Sequence, residues 1–235
     1  MINPHILCHQ PRRGGFTKVE LLVTLGSVAI LIALAALLTV HLREKALRAR
    51  CQKNVQTLTT GLRSFASDHN GLFPDCTTEN PSFNGASWPW ELSPNLTAAL
   101  DQYGLTRSTY YCPANPTMND DRHWNFAEVF HARSRVLGYV FLLNGTETVP
   151  AELARVNLKG DSAAHSPAAS ELTADVVASM GGNYSELRGF LKDRSNHMSG
   201  SQPRGGNIGF VDGHVEWRDY KDMKHRIVHV AVWDF

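Results

Sequence analysis

The sequence has almost no excess of charge of either sign. Its 23 lysine and arginine residues nearly balance 22 aspartate and glutamate residues, leaving a formal net charge of +1 at pH 7. Without a dominant sign, the chain gives no reason to expect nucleic acid or an acidic polymer as a partner. With 235 residues and 43% apolar composition, it has room for one ordinary core, so we expect one globular domain.

Cysteine is scarce, and its spacing does not match the usual structural zinc patterns. Cys8, Cys51, Cys76 and Cys112 include no CxxC pair and no cysteine-histidine spacing typical of a zinc finger. Cys76 and Cys112 both lie in a stretch rich in loop-forming residues. We expect a disulfide between them if this part of the chain reaches an oxidising compartment, and two unpaired buried thiols are the alternative.

The sequence also lacks HExxH and comparable metal or hydrolytic motifs. Asp175, His197, Asp212 and His214 are the residue types of such a site, but Asp212 is also what a tight turn requires. We therefore interpret these four residues as structural. The chain is predicted to have no catalytic residue, no metal and no cofactor.

No proline occurs between Pro11 and Pro74, so this region can form a helix without a proline kink. Residues 21–40 read LLVTLGSVAILIALAALLTV and carry no charge. About 20 apolar residues in a helix cover the roughly 30 Å core of a bilayer, and a single open strand would leave its backbone groups unpaired in lipid. A secretory signal is the alternative, but this run exceeds the usual core of about 7–15 residues and continues into a helical pattern.

Glu20 places a carboxylate at the start of the apolar run. Ionisable groups in membrane segments usually have a partner or a function, although an interfacial residue favoured by the positive helix N-terminus is the alternative. More basic residues follow the apolar run than precede it. Because the cytoplasmic flank of a membrane helix usually carries the excess of Lys and Arg, this count alone would place the C-terminal part in the cytoplasm. Long domains translocate largely regardless of such flanking charge.

The segment RRGGFTKVELLV resembles the prepilin signature, in which a basic leader ends in Gly and Glu is the fifth mature residue. The resemblance implies cleavage between Gly15 and Phe16 by a prepilin peptidase, followed by methylation of the Phe16 amine. It also implies that Glu20 meets the Phe16 amine of a neighbouring subunit during assembly. Two positions depart from the family pattern: Leu37 replaces a common Pro, and Lys18 replaces an apolar residue.

Beyond the apolar run the pattern becomes amphipathic, which predicts one helix over about 16–67 with an apolar stripe against a core. The stripe consists of Leu47, Cys51, Val55, Leu58, Leu62 and Phe65. Asn70 and Gly71 then favour a helix stop. The following Asp-x-Asn-Gly-x-Phe-Pro pattern extends the resemblance to bacterial prepilin-type proteins.

Strands dominate the C-terminal part. Residues 136–143 and 172–177 are β-favouring runs, and residues 227–233 offer a further strand for an antiparallel sheet. Within 207–217, Asp212 and Gly213 predict a hairpin with a type I′ turn. This segment resembles a prepilin-processing motif in which nine residues separate a His from Asp-Gly; here the position of that His is occupied by Gln202, and the nearest His is His197.

Together these features predict an α+β, pilin-like fold in which a long N-terminal helix packs on an antiparallel sheet. The expected parts are a leader (1–15), the transmembrane half of the helix (16–40) and an extracytoplasmic globular domain (41–235). The resemblance implies a non-enzymatic subunit of a type II secretion-like pseudopilus or type IV pilus-like filament, anchored in the bacterial inner membrane. Its expected partners are the prepilin peptidase, other pilin-like subunits and membrane lipid. The alternative is an anchored extracytoplasmic enzyme or binding module.

Overall fold

The structure is a computed structural model that describes residues 15–130, 132–159, 166–188 and 193–235. The predicted leader lies outside these residues, except for Gly15. The chain divides into two compact units, Met1–Glu44 and Lys45–Phe235. The described residues form the predicted α+β class, with an N-terminal helix and antiparallel sheets.

A long helix, α1 (Lys18–Asp68), confirms the predicted helix to within two residues at each end. It ends where the sequence changes to Asn70 and Gly71, whose φ angles are 57° and 82°. The Gly71 N–H donates to the carbonyl of Ala66 at 2.7 Å, a 6→1 bond typical of a Schellman cap. The predicted helix stop is therefore confirmed.

Shorter helices and eleven strands follow in the described residues. The helices are α2 (Pro94–Asp101), α3 (Asp121–Trp124) and α4 (Phe126–Val129). The strands are β1 (Glu91–Leu92), β2 (Arg135–Val136), β3 (Tyr139–Phe141), β4 (Glu171–Asp175), β5 (Ala178–Ser179), β6 (Met198–Ser199), β7 (Gln202–Pro203), β8 (Gly205–Phe210), β9 (Val215–Asp219), β10 (His225–Val228) and β11 (Val232–Asp234).

The principal sheet has four antiparallel strands in the order β3-β4-β8-β9. Tyr139 pairs with Asp175 between β3 and β4, so both predicted β runs contribute to this sheet. The first run is nevertheless interrupted, because β2 pairs with β1 in a separate two-stranded sheet. Residues 227–233 do not extend the principal sheet as expected: β10 and β11 form their own hairpin, which pairs with β5.

The predicted hairpin at Asp212-Gly213 is present, but its turn is not type I′. Gly213 has a φ of 101°, whereas Asp212 is not among the residues with positive φ, as type I′ would require. The Phe210 N–H donates to the His214 carbonyl at 3.0 Å, and the Gly213 N–H donates to the Phe210 carbonyl at 2.8 Å. The hairpin therefore has a three-residue loop in which only Gly213 takes the left-handed conformation, and Asp212 Oδ1 also accepts the His214 N–H at 3.0 Å.

Within the second unit, the C-terminal part of α1 packs directly on the principal sheet. Cys51, Val55, Leu58 and Leu62 have no exposed surface and Phe65 is buried, which confirms the predicted apolar stripe from Cys51 onwards. Leu47, at the start of the predicted stripe, is only half-buried. The Thr59 hydroxyl lies 3.0 Å from the Thr173 hydroxyl on β4. Gln56 Nε2 donates to the Gly213 carbonyl at 2.8 Å, so the helix also contacts the turn of the β8-β9 hairpin.

Candidate functional site

The first candidate site is the apolar N-terminal part of α1. Lys18–Ala36 is long and apolar enough to cross a membrane, and none of the tested window is buried within the chain. Its 19 residues extend about 28 Å at 1.5 Å per residue, close to the thickness of a hydrocarbon core. The exposed large apolar side chains include Val19, Leu21, Leu22, Val23, Leu25, Val28, Ile30, Leu31, Ile32 and Leu34.

Glu20 takes part in a capping box at the start of this helix. The Thr17 N–H and hydroxyl donate to Glu20 Oε2 at 2.8 and 2.9 Å, and the Glu20 N–H donates back to the Thr17 hydroxyl at 3.2 Å. The reciprocal bonds satisfy backbone donors that a helix N-terminus leaves unpaired. The Thr-x-x-Glu spacing carried this signal, and our interpretation of Glu20 from sequence missed it.

The two residues at the predicted processing position precede the helix in non-helical backbone. Gly15 and Phe16 are both exposed, and 80% of Phe16 is accessible. A peptidase needs an accessible, extended segment at its cleavage position. The described geometry is compatible with this requirement.

The predicted disulfide between Cys76 and Cys112 is wrong. Cys112 is bonded instead to Cys51, with a Cα–Cα separation of 5.1 Å, and Cys76 is free. Cys51 lies on the buried stripe of α1, so it faces the loop that carries Cys112. Cys51 belongs to a helix rather than to the loop-rich region, which is why the sequence interpretation did not consider it as a partner.

Among the cysteines that the structure describes, Cys76 is buried and has no disulfide partner. Only 1% of its surface is accessible. Burial, with a smaller effect from the neighbouring Asp75 carboxylate, raises the pKa of the Cys76 thiol to about 12. Because the thiolate is the reactive form, burial and the raised pKa both disfavour reactions of Cys76 in the folded protein.

A second candidate site is a buried polar cluster beside the disulfide. His197 Nε2 lies 3.5 Å from Cys112 Sγ and 3.1 Å from Asp175 Oδ2. Ligand atoms of Cys51, Cys112, Asp175 and His197 all lie within 4.8 Å of one another. These four residues lie on four separate segments of the sequence. We did not predict that the fold would bring all four close together.

Asp175 is held in place by donors from two segments. Asn196 Nδ2 donates to Oδ1 at 2.8 Å, while the Asn207 N–H and Nδ2 donate to Oδ2, also at 2.8 Å. Burial alone would raise the pKa of the Asp175 carboxyl, but His197 and Asn207 together hold this pKa below its ordinary value. The carboxylate is therefore charged and fixed in orientation.

His197 reaches the cluster because a hairpin folds out between it and β8. Strands β6 and β7 form this hairpin over residues 198–203, and the Arg204 N–H returns to the His197 carbonyl at 3.0 Å. His197 consequently adjoins the start of β8 despite its distance in sequence from Asp212.

Asp212 and His214, which the sequence analysis considered together with Asp175 and His197, do not belong to this cluster. His214 Nδ1 contacts Asp212 Oδ1 at 2.6 Å at the exposed end of the β8-β9 hairpin. The His214 ring also stacks on Phe210, with ring centroids 4.2 Å apart. Asp212, Gly213 and His214 thus stabilise the turn, as their structural interpretation expects.

In comparisons with protein-family models, with curated proteins and with solved structures, nothing matches this chain.

Proposed function

We propose that this chain is a non-enzymatic, pilin-like subunit that a prepilin peptidase cleaves between Gly15 and Phe16. The mature chain is anchored in the bacterial inner membrane by the apolar part of α1, with the globular domain in the periplasm. It assembles with other pilin-like subunits into a pseudopilus or a type IV pilus-like filament. The observation that carries this proposal is an exposed apolar helix that begins just after Gly15 and Phe16 and has Glu20 in its first turn.

The exposure of this helix supports an environment other than water. A run of apolar side chains that no part of the chain covers is unfavourable in water, since each buried large side chain is worth about 1.5–3 kcal/mol. Lipid covers such a surface before assembly, and the helices of neighbouring subunits cover it afterwards. Membrane anchoring and filament formation therefore use the same surface.

The geometry of Glu20 also supports assembly through charge pairing. Thr17 donates two hydrogen bonds to Glu20 Oε2, but neutral donors do not remove the carboxylate charge. A charge in lipid is tolerated best when an opposite charge lies close to it. Cleavage before Phe16 creates an ammonium group that a neighbouring subunit can bring to this carboxylate.

The disulfide supports the proposed location of the globular domain. Disulfides persist in the oxidising periplasm and are rare in the reducing cytosol. The Cys51–Cys112 bond lies in the second unit, Lys45–Phe235. This observation favours export over the cytoplasmic placement that the flanking basic residues suggest.

Two single variants separate charge pairing from helix capping. Glu20→Gln keeps an acceptor for Thr17 but removes the charge, whereas Thr17→Ala removes the hydroxyl of the capping box and keeps the charge. We expect Glu20→Gln to be cleaved normally but to lose cross-linking to neighbouring subunits in membranes. Thr17→Ala should assemble like the wild type.

The outcome is measured by cross-linking and by the amount of sheared filament. Normal assembly of Glu20→Gln would contradict charge pairing. Membrane attachment of the wild type without cleavage or self-association would favour the alternative of an anchored enzyme or binding module.

A further inference from the structure

We propose that Cys51, Cys112, Asp175 and His197 form a closed Zn²⁺ site when the Cys51–Cys112 disulfide is reduced. The four residues supply two sulfurs, one carboxylate oxygen and one imidazole nitrogen, all from buried side chains. Thiolate and imidazole ligands favour zinc over calcium or magnesium. Nothing in this inference depends on the anchor helix or on filament assembly.

The spacing of the ligand atoms fits a tetrahedral ion. Zinc bonds of about 2.3 Å to sulfur and about 2.0–2.1 Å to nitrogen and oxygen place S and N about 3.5 Å apart, and N and O about 3.3 Å apart. The corresponding distances are 3.5 Å from Cys112 Sγ to His197 Nε2 and 3.1 Å from His197 Nε2 to Asp175 Oδ2. Two edges of the tetrahedron are thus in place in the oxidised protein.

The largest adjustment is separation of the two bonded sulfurs of Cys51 and Cys112. A tetrahedral zinc ion requires them to lie about 3.8 Å apart, so the bonded sulfurs must separate when the disulfide is reduced. Rotation of the two cysteine side chains supplies such a movement. All four ligand atoms already lie within 4.8 Å of one another, so the remaining pairs need only shift to the separations of about 3.3–3.8 Å in a tetrahedral site, a movement on the order of 1 Å.

Supporting hydrogen bonds around Asp175 are of the kind that metal sites use. Ligating carboxylates are usually oriented by outer donors, and Asn196 and Asn207 already donate to both oxygens of Asp175. The His197 ring packs edge-to-face on Trp217, with centroids 5.0 Å apart. His197 has a φ of 50°, so its backbone holds an uncommon conformation that directs the ring to this cluster.

The chemistry balances with a dithiol or phosphine as the reductant. The reductant supplies two electrons and is itself oxidised, the S–S bond breaks, and the two sulfurs take up two protons. Zinc then displaces both thiol protons and the proton on His197 Nε2, and these protons pass to solvent as the two sulfurs and Nε2 become ligands. With four protein ligands no coordination position stays open, so the ion is structural and replaces the covalent link between α1 and the loop at Cys112.

Cobalt binding to the full-length protein in detergent tests this site. We expect the anaerobically reduced protein to bind one Co²⁺ per chain, with a thiolate-to-metal absorption band that Zn²⁺ abolishes. The oxidised protein should show no such band. Absence of the band in the reduced protein would overturn the proposal.

Variants identify the ligands. His197→Ala and Asp175→Asn should lose the cobalt band or weaken binding, and Asn207→Ala should weaken binding about 10–100-fold. His214→Ala and Cys76→Ala are the matched controls, because these residues lie outside the cluster, and both should bind like the wild type. Equal loss of binding in the controls would contradict the assignment.

The site can also be tested in the wild-type protein, so that the result does not depend on whether the variants fold. Zn²⁺ added to the reduced protein should slow alkylation of Cys51 and Cys112 at least tenfold, as mapped by peptide mass. Equal alkylation rates with and without Zn²⁺ would overturn the proposal.

Discussion

The described cysteines share a buried environment but differ in their chemistry. Cys51 and Cys112 are covalently joined, whereas Cys76 is an isolated thiol with a pKa raised to about 12 by burial. Burial alone therefore does not decide which cysteines pair. The decisive factor is which side chains the packing of α1 brings within bonding distance.

Loss of the disulfide should cost far more stability than loss of Cys76. The bond closes a loop with a sequence separation of 61 residues, for which chain entropy gives about 4 kcal/mol. We expect Cys51→Ala to lower the free energy of unfolding by about 2–5 kcal/mol and Cys76→Ala by about 1 kcal/mol. Denaturant unfolding in detergent with EDTA measures both values, and equal losses would contradict the assigned pairing.

The Asp212 carboxylate should make the β8-β9 hairpin sensitive to acid. Burial opposes its charge, but hydrogen bonds from the backbone and ring of His214, with Arg63 nearby, hold the pKa of Asp212 below its usual value. A lowered folded-state pKa stabilises the protein above the unfolded pKa of about 3.9, and this contribution is lost as the pH falls through the folded-state pKa.

The variant Asp212→Asn tests the predicted direction of this pH dependence of stability. The variant should be less stable than the wild type at neutral pH, and the difference should shrink as the pH falls below about 4. Unfolding midpoints between about pH 7 and pH 2 provide the measurement. Asp222→Asn is the control for the change in net charge, and a pH-independent difference for Asp212→Asn would contradict the linkage.

At the scale of the elements, the close contact between α1 and the principal sheet requires a glycine at position 209 on β8. A Cβ at Gly209 would lie 2.1 Å from the Thr59 hydroxyl and 2.8 Å from the Thr173 hydroxyl. The helix and the sheet therefore approach too closely at this point for any larger residue. The buried Thr59–Thr173 hydrogen bond occupies the same space.

Gly209→Ala should destabilise the protein by at least about 1–3 kcal/mol, the usual cost of an overpacked core. Thr59→Ala removes the hydroxyl that meets the new Cβ. The double variant should therefore be more stable than the sum of the two single losses predicts. Additive losses in denaturant unfolding would show that the proposed contact does not limit the packing.

Elements with a local signal were predictable from the sequence, whereas those fixed by distant contacts were not. The α1 helix, its stop at Asn70 and the β8-β9 hairpin follow from periodicity and turn residues within a few positions. The pairing of β11 with β5 depends on the path of the intervening chain. The cluster of Asp175 and His197 likewise requires the fold itself, because four separate segments supply its residues.

At the scale of the whole molecule, two features require different surroundings. A domain with a buried disulfide suits an oxidising aqueous compartment, and an exposed apolar helix suits lipid or the helices of other subunits. The proposed membrane-anchored subunit, exported to the periplasm, would satisfy both requirements. In this proposal, cleavage after Gly15 precedes filament assembly.

The most direct test is the mass of the chain recovered from bacterial membranes in which a prepilin peptidase is present. The account predicts a protein that begins at Phe16 and carries one added methyl group on its N-terminal amine. A peptidase-deficient strain is the control and should retain the leader. An intact N-terminus in the presence of the peptidase, or a cut near Ala36, would contradict the account.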